Sequence, residues 1–136
     1  MKLVTFADER GMRIGAWTAE RTIVDFEEAL PNAPRSMIEL IGAGREGLAA
    51  VGQALATGKG RVAADKVTLC APIPRPAKNI LCVGRNYHEH AQEFHASGFD
   101  ATAGKDAVPE VPIIFTKWPN AVIGPGEAFP TFLDAT

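Results

Sequence analysis

Apolar and polar positions change period several times along this chain, and the changes divide it into elements. Leu3, Val4 and Phe6 mark a first strand, Asp8-Glu-Arg-Gly11 a turn, Met12–Trp17 a second strand and Thr22–Phe26 a third. Charges gather at the turns, so residues 1–26 read as a small β-meander. From Asp25 to Leu30 the pattern fits a short helix stopped by Pro31. Ser36 followed by Glu39 is a capping-box signature, and the helix it opens, Met37–Ile41, is cut short by Gly42 and Gly44. A further helix is predicted over about 45–55, where Leu48, Val51 and Leu55 recur at i, i+3 and i+7 and predict one buried face. Gly58-Lys-Gly60 ends it.

The pattern then changes character. Val67–Cys70 is an apolar strand, and Ala71-Pro-Ile-Pro-Arg-Pro76 is an extended connector, because prolines cannot pair inside a sheet. Ile80–Val83 reads as a buried strand that breaks at Gly84-Arg85 into a polar, helix-tolerant segment holding all three histidines, His88, His90 and His95. Residues 97–111 show no period and predict a loop or lid. Pro112–Thr116 is a second buried strand, closed by Lys117-Trp-Pro-Asn120, and Ala121–Gly126 is a final extended piece. A boundary near 65–72 separates a small β-α domain, 1–65, from a second region, 66–136. The strands of that second region are apolar on both faces and need cover on each side, yet the helix near 87–96 is polar. Residues 66–136 are therefore expected to be an incomplete core that buries itself against further protein, a partner chain or a C-terminal half. The fold class expected is α+β, mostly β.

Composition narrows this picture. The 136 residues are 46% hydrophobic and 22% charged, as in an ordinary globular protein. A net charge of −2 gives no electrostatic footprint for nucleic acid or an anionic membrane. No apolar run approaches the roughly 20 residues that span a bilayer, and the start reaches an acid too soon for a secretory signal. A cytoplasmic protein is expected, with Cys70 and Cys82 as buried thiols rather than a disulfide.

Chemistry concentrates in the segment that follows Gly84. On a helix, His90 and Glu93 are i, i+3 and share a face, and a carboxylate beside an imidazole suits it to act as a general base. His88 and His95 share a different face, expected to be solvated. A zinc-binding His-Glu-x-x-His would need histidine where Gln92 stands, and Gly84 lacks the further glycines of a dinucleotide-binding loop. Arg85, Lys117 and Asn120 read as anion or carbonyl binders at strand ends, provided that they converge.

Lys78-Asn-Ile-Leu-Cys-Val-Gly-Arg-Asn-Tyr-His-Glu-His90, followed by Pro112-Ile-Ile-Phe-Thr-Lys-Trp-Pro-Asn-Ala-Val-Ile-Gly-Pro-Gly126, closely resembles the fumarylacetoacetate hydrolase family. The resemblance implies that 66–136 are the first part of that family's mixed β-roll catalytic core, here truncated, and that 1–65 are the N-terminal domain many bacterial members carry. It implies His90 and Glu93 as the catalytic dyad, Lys117 as the lysine that meets substrate oxygens, Arg85 and Tyr87 as substrate-binding residues, and 97–111 as the lid.

The resemblance also implies a divalent cation, Mg²⁺ or else Mn²⁺ or Ca²⁺, that chelates a small keto-acid substrate. Its acidic ligands, a Glu-x-Glu pair and an aspartate, are expected downstream of Thr136. The acids after residue 120, Glu127 and Asp134, do not match them, so tight metal binding by this chain alone is not expected. The activity implied is metal-dependent hydrolysis of carbon–carbon bonds in small keto acids or diketones, with isomerisation or decarboxylation of the 2-hydroxymuconate type in aromatic catabolism as the alternative. A homodimer, or pairing with the missing C-terminal half, is implied as well. The contrasting reading is a non-catalytic fragment that needs a partner chain.

Overall fold

The computed structural model describes residues 1–98, 111–129 and 131. It is mixed α and β with more strand than helix elements among the described residues, and it divides into two units, Met1–Arg75 with Val122–Thr136, and Pro76–Ala121.

The first unit is built on the predicted meander. Strands β1 (Lys2–Asp8), β2 (Gly11–Trp17) and β3 (Thr22–Asp25) pair antiparallel in register Lys2↔Trp17 to Asp8↔Gly11 and Gly15↔Asp25 to Trp17↔Ile23. Helix α1 (Phe26–Ala29) follows at once, because the Asp25 side chain accepts from the Glu27 N–H and caps it. Helix α2 (Met37–Gly42) is opened by Ser36, whose hydroxyl accepts from the Glu39 N–H. The reciprocal arm of the capping box reaches one residue further back than expected: Glu39 accepts from the Arg35 N–H at 2.8 Å.

Helix α3 (Gly44–Thr57) buries Gly47, Val51 and Ala54; of the predicted set Val51 is buried and Leu55 packs half-buried on the core, but Leu48 is 53% exposed. The cause is close approach. A Cβ on Gly47 would meet the Leu40 carbonyl at 2.7 Å, so small residues form the contact with α2 and rotate the buried face. Gly58, in the left-handed region at φ 67°, ends the helix.

Two short strands complete the sheet. β4 (Arg61–Ala63), which the pattern does not announce, pairs with β3, and β5 (Thr68–Leu69) pairs with β1, giving the order β4-β3-β2-β1-β5. One face of this sheet packs Ile14, Ala16 and Val24 against Phe26, Met37, Leu40, Val51 and Ala54. The proline connector is tied to the same unit: Thr5 Oγ1 donates to the Pro72 carbonyl at 2.7 Å, and Ile73 packs on the core.

The second unit contains β6 (Ile80–Gly84), α4 (His88–Ala96) and β7 (Ile113–Lys117), with β6 and β7 antiparallel from Ile80↔Lys117 to Gly84↔Ile113. The expectation of two buried strands is corrected here. Leu81 is 72%, Val83 48% and Ile114 58% exposed, and the alternation of a pleated strand puts all three on one face. Among the described residues nothing covers that face. Cys70 and Cys82 are free thiols, half-buried rather than buried; burial, with Glu127 nearby, pushes the Cys70 thiol above its usual range. The predicted lid falls largely on 99–110, outside the described residues, as does Asp134. No described helix is long and apolar enough to cross a membrane.

Candidate active site

Every residue singled out for chemistry lies in the unit Pro76–Ala121, and the site is built on that unit alone. Strand β6 ends at Gly84, and Arg85 then turns the chain at φ 50°, in the left-handed region that side chains seldom adopt. Holding a non-glycine residue there costs about 1–2 kcal/mol. Arg85 is nonetheless only 9% exposed, and its guanidinium lies 5.8 Å from the centre of the Phe94 ring. That contact fixes the arginine against the helix it introduces. Sequence reasoning missed Phe94; its i, i+3 spacing from Ala91, the buried residue of α4, is the signal that could have found it.

Tyr87 occupies the N-cap position of α4, makes no side-chain capping bond and is 76% exposed. At 100° per residue, the stripe of buried Ala91 and partly exposed Phe94 puts His90 and Glu93 on one flank and His88 and His95 on the other. All four flanking side chains are exposed. The helix thus places an imidazole and a carboxylate side by side, open to solvent, where a proton can be taken from a bound molecule and returned to it.

Lys117 ends β7, and Asn120 lies in the single 3₁₀ turn Pro119–Ala121 just beyond it. The register does not bring their backbones to Arg85. Lys117 pairs with Ile80 and Gly84 with Ile113, so the two ends are separated by roughly 14 Å of strand. The lysine side chain shortens that distance. Its Nζ lies 5.5 Å from the centre of the Phe115 ring, and that ring edge stands 3.6 Å from where a Gly84 Cβ would be. Phe115 therefore leans toward the β6 end and draws the ammonium back along the same face. Each of the two site cations is paired with an aromatic ring.

A divalent cation of the kind the resemblance implies needs about six hard oxygen ligands. Among the described residues no three His, Cys, Asp or Glu side chains converge to hold a metal. The described acids of this unit, Glu89 and Glu93, are exposed helix residues. The described residues do not fit such a cage.

Comparison with known proteins bears on the family of the chain. Residues 79–133 match the family model described as "Fumarylacetoacetate (FAA) hydrolase C-terminal". The chain is 35% identical over 103 residues to the oxaloacetate tautomerase FAHD2A, mitochondrial, of Bos taurus, covering 76% of this chain and 29% of the relative. It is 33% identical over 142 residues to the oxaloacetate tautomerase YisK of Bacillus subtilis, covering 93% and 44%. It is 31% identical over 134 residues to the fumarylacetoacetate hydrolase domain-containing protein 2 homolog of Dictyostelium discoideum, covering 94% and 39%. The chain thus spans less than half the length of each of these relatives. On the match of its strand-turn-helix segment and its likeness to these relatives, the chain belongs to the fumarylacetoacetate hydrolase family.

Proposed function

We propose that the complete protein interconverts the keto and enol forms of a small 2-oxo acid, with His90 as the base that moves the proton. The observation that carries this reading is the flank of α4: His90 and Glu93 stand together on an exposed helix face that begins at the strained Arg85 turn. A substrate carboxylate is held by Arg85 or Lys117. The imidazole removes a proton from the carbon beside the carbonyl; the C–H bond breaks, and its electron pair forms the carbon–carbon double bond of an enolate. The proton returned to oxygen gives the enol, and the reverse sequence gives the ketone. Glu93, three residues on and on the same flank, is the carboxylate assigned to orient the ring and stabilise its protonated form.

The named activities of the bovine and Bacillus relatives, both oxaloacetate tautomerases, favour this proton transfer over the carbon–carbon hydrolysis that the family resemblance first suggests. The Mg²⁺ implied by that resemblance takes its ligands, on this reading, from residues beyond those described. The open face of the β6–β7 sheet supports a unit that completes its core against further protein, whether more of the same polypeptide or a second copy in a homodimer.

The test is to supply complete protein with oxaloacetate, following the enol absorbance, and separately with an acylpyruvate, following release of the carboxylic acid fragment. Faster enol–keto conversion without acylpyruvate cleavage is expected. Cleavage without tautomerisation would overturn the assignment.

A further inference from the structure

Unit Met1–Arg75 contains a cavity that the proposed chemistry leaves unused. Its volume is about 230 Å³, and it lies between β2, α2 and the proline connector. Its walls are largely apolar: Met12 and Ile14 from β2, Met37 and Ile38 from α2, and Ile73 with its flanking prolines from the connector. The connector wall is fixed, because Thr5 holds the Pro72 carbonyl and the Thr5 carbonyl accepts from the Cys70 N–H at 2.9 Å. The cavity is therefore a formed feature of this unit.

Its charges are all of one sign. Arg13, Arg35 and Arg75 line it, and no acid does. Arg13 is engaged by Asp8 and Asp25 and adds no open positive charge. Arg35 is different: its side chain is 76% exposed, its guanidinium stands 3.9 Å from Glu27, and the Glu39 carboxylate is held by its backbone N–H rather than by the guanidinium. Arg75 is exposed and forms no ion pair among the described residues. Two long cationic side chains at the opening of an apolar cavity form an amphipathic site.

We propose that this cavity binds a small carboxylate with a compact apolar body, an aryl- or branched alkyl-acetate, with the apolar group inside and the carboxylate between Arg35 and Arg75. Size agrees with the class. A closed apolar cavity of about 150 Å³ accepts benzene, so about 230 Å³ accommodates one ring with a short acid arm. Guanidinium suits the head group because it meets a carboxylate with two parallel hydrogen bonds.

The chain's three methionines provide the test: Met12 and Met37 line the cavity, whereas Met1 does not. The full chain, labelled with ¹³C at the methionine methyls, is titrated with phenylacetate and with its neutral isostere phenylacetamide. Phenylacetate is expected to shift Met12 and Met37 saturably and leave Met1 in place, with phenylacetamide binding roughly tenfold more weakly, as loss of a charge-assisted contact requires. The double variant Arg35→Gln/Arg75→Gln should weaken phenylacetate by about the same factor while phenylacetamide binds as before. The proposal is overturned if phenylacetate leaves both cavity methyls unmoved. It is overturned equally if acid and amide bind alike, or if the double variant keeps full affinity for the acid.

Discussion

Arg13 shows how a single residue ties the first unit together. Its Nε donates to the fully buried Asp25 at 2.8 Å, its other nitrogens reach Asp8 at 2.5 and 2.9 Å, and its guanidinium lies 5.1 Å from the Phe6 ring. Asp25 in turn caps α1, so one cation links β1, β2 and the first helix. The hydrogen bond from Arg13 holds the Asp8 carboxyl down to about 2, from an ordinary 3.8. A carboxyl that protonates near pH 4 when unfolded, but only near pH 2 when folded, favours the folded state fully above pH 4 and loses that contribution as pH falls toward 2. Urea midpoints measured from pH 5 to pH 2 should therefore fall, and Asp8→Asn should flatten the decline. Little of this was legible from the sequence. Asp8 read as a turn charge and Arg13 only as part of the second strand, and only the register Phe6↔Arg13 and Gly15↔Asp25 shows that Phe6, Arg13 and Asp25 share one face of the sheet.

Elements whose determinants are local were readable. The three-strand meander and the Ser36 cap lie where turn residues and a hydroxyl three positions before Glu39 put them. Elements set by distant partners were not. β4 is three residues long and exists because β3 pairs with it. The buried face of α3 follows the close approach at Gly47, which apolar periodicity cannot register. Val51→Ala should consequently cost about 2 kcal/mol, whereas Leu48→Ala should cost less than about 0.5 kcal/mol; chemical denaturation of the two variants separates them. The candidate site divides in the same way. His90 and Glu93 are legible from helical spacing, but the lean of Lys117 over Phe115 is a side-chain fact. Phe115→Leu in the complete protein should raise KM about threefold with little change in kcat, as expected for an exposed cation–aromatic contact worth roughly 0.5–1 kcal/mol. Steady-state kinetics on oxaloacetate would read this directly.

At the scale of the whole molecule the two units differ in how completely they bury themselves. The first has a nine-residue buried cluster beneath its sheet. The second exposes Leu81, Val83 and Ile114 on one face of a two-stranded sheet, and a lone hairpin is marginal in water without further strands or a packed helix. The alternation of apolar side chains on both faces made that need visible in the sequence. What meets it was not visible, because the covering surface belongs to other residues. The central claim is that His90 and Glu93 act as one proton-transfer unit. It is tested most directly by a double-mutant cycle in the complete protein, with His90→Ala, Glu93→Ala and the pair compared by the rate of enol–keto conversion of oxaloacetate. The account predicts that His90→Ala lowers kcat/KM at least roughly 100-fold and that adding Glu93→Ala lowers it no further, since a partner that acts only through the imidazole has nothing left to do. Full activity in His90→Ala, or losses that multiply in the pair, would contradict it.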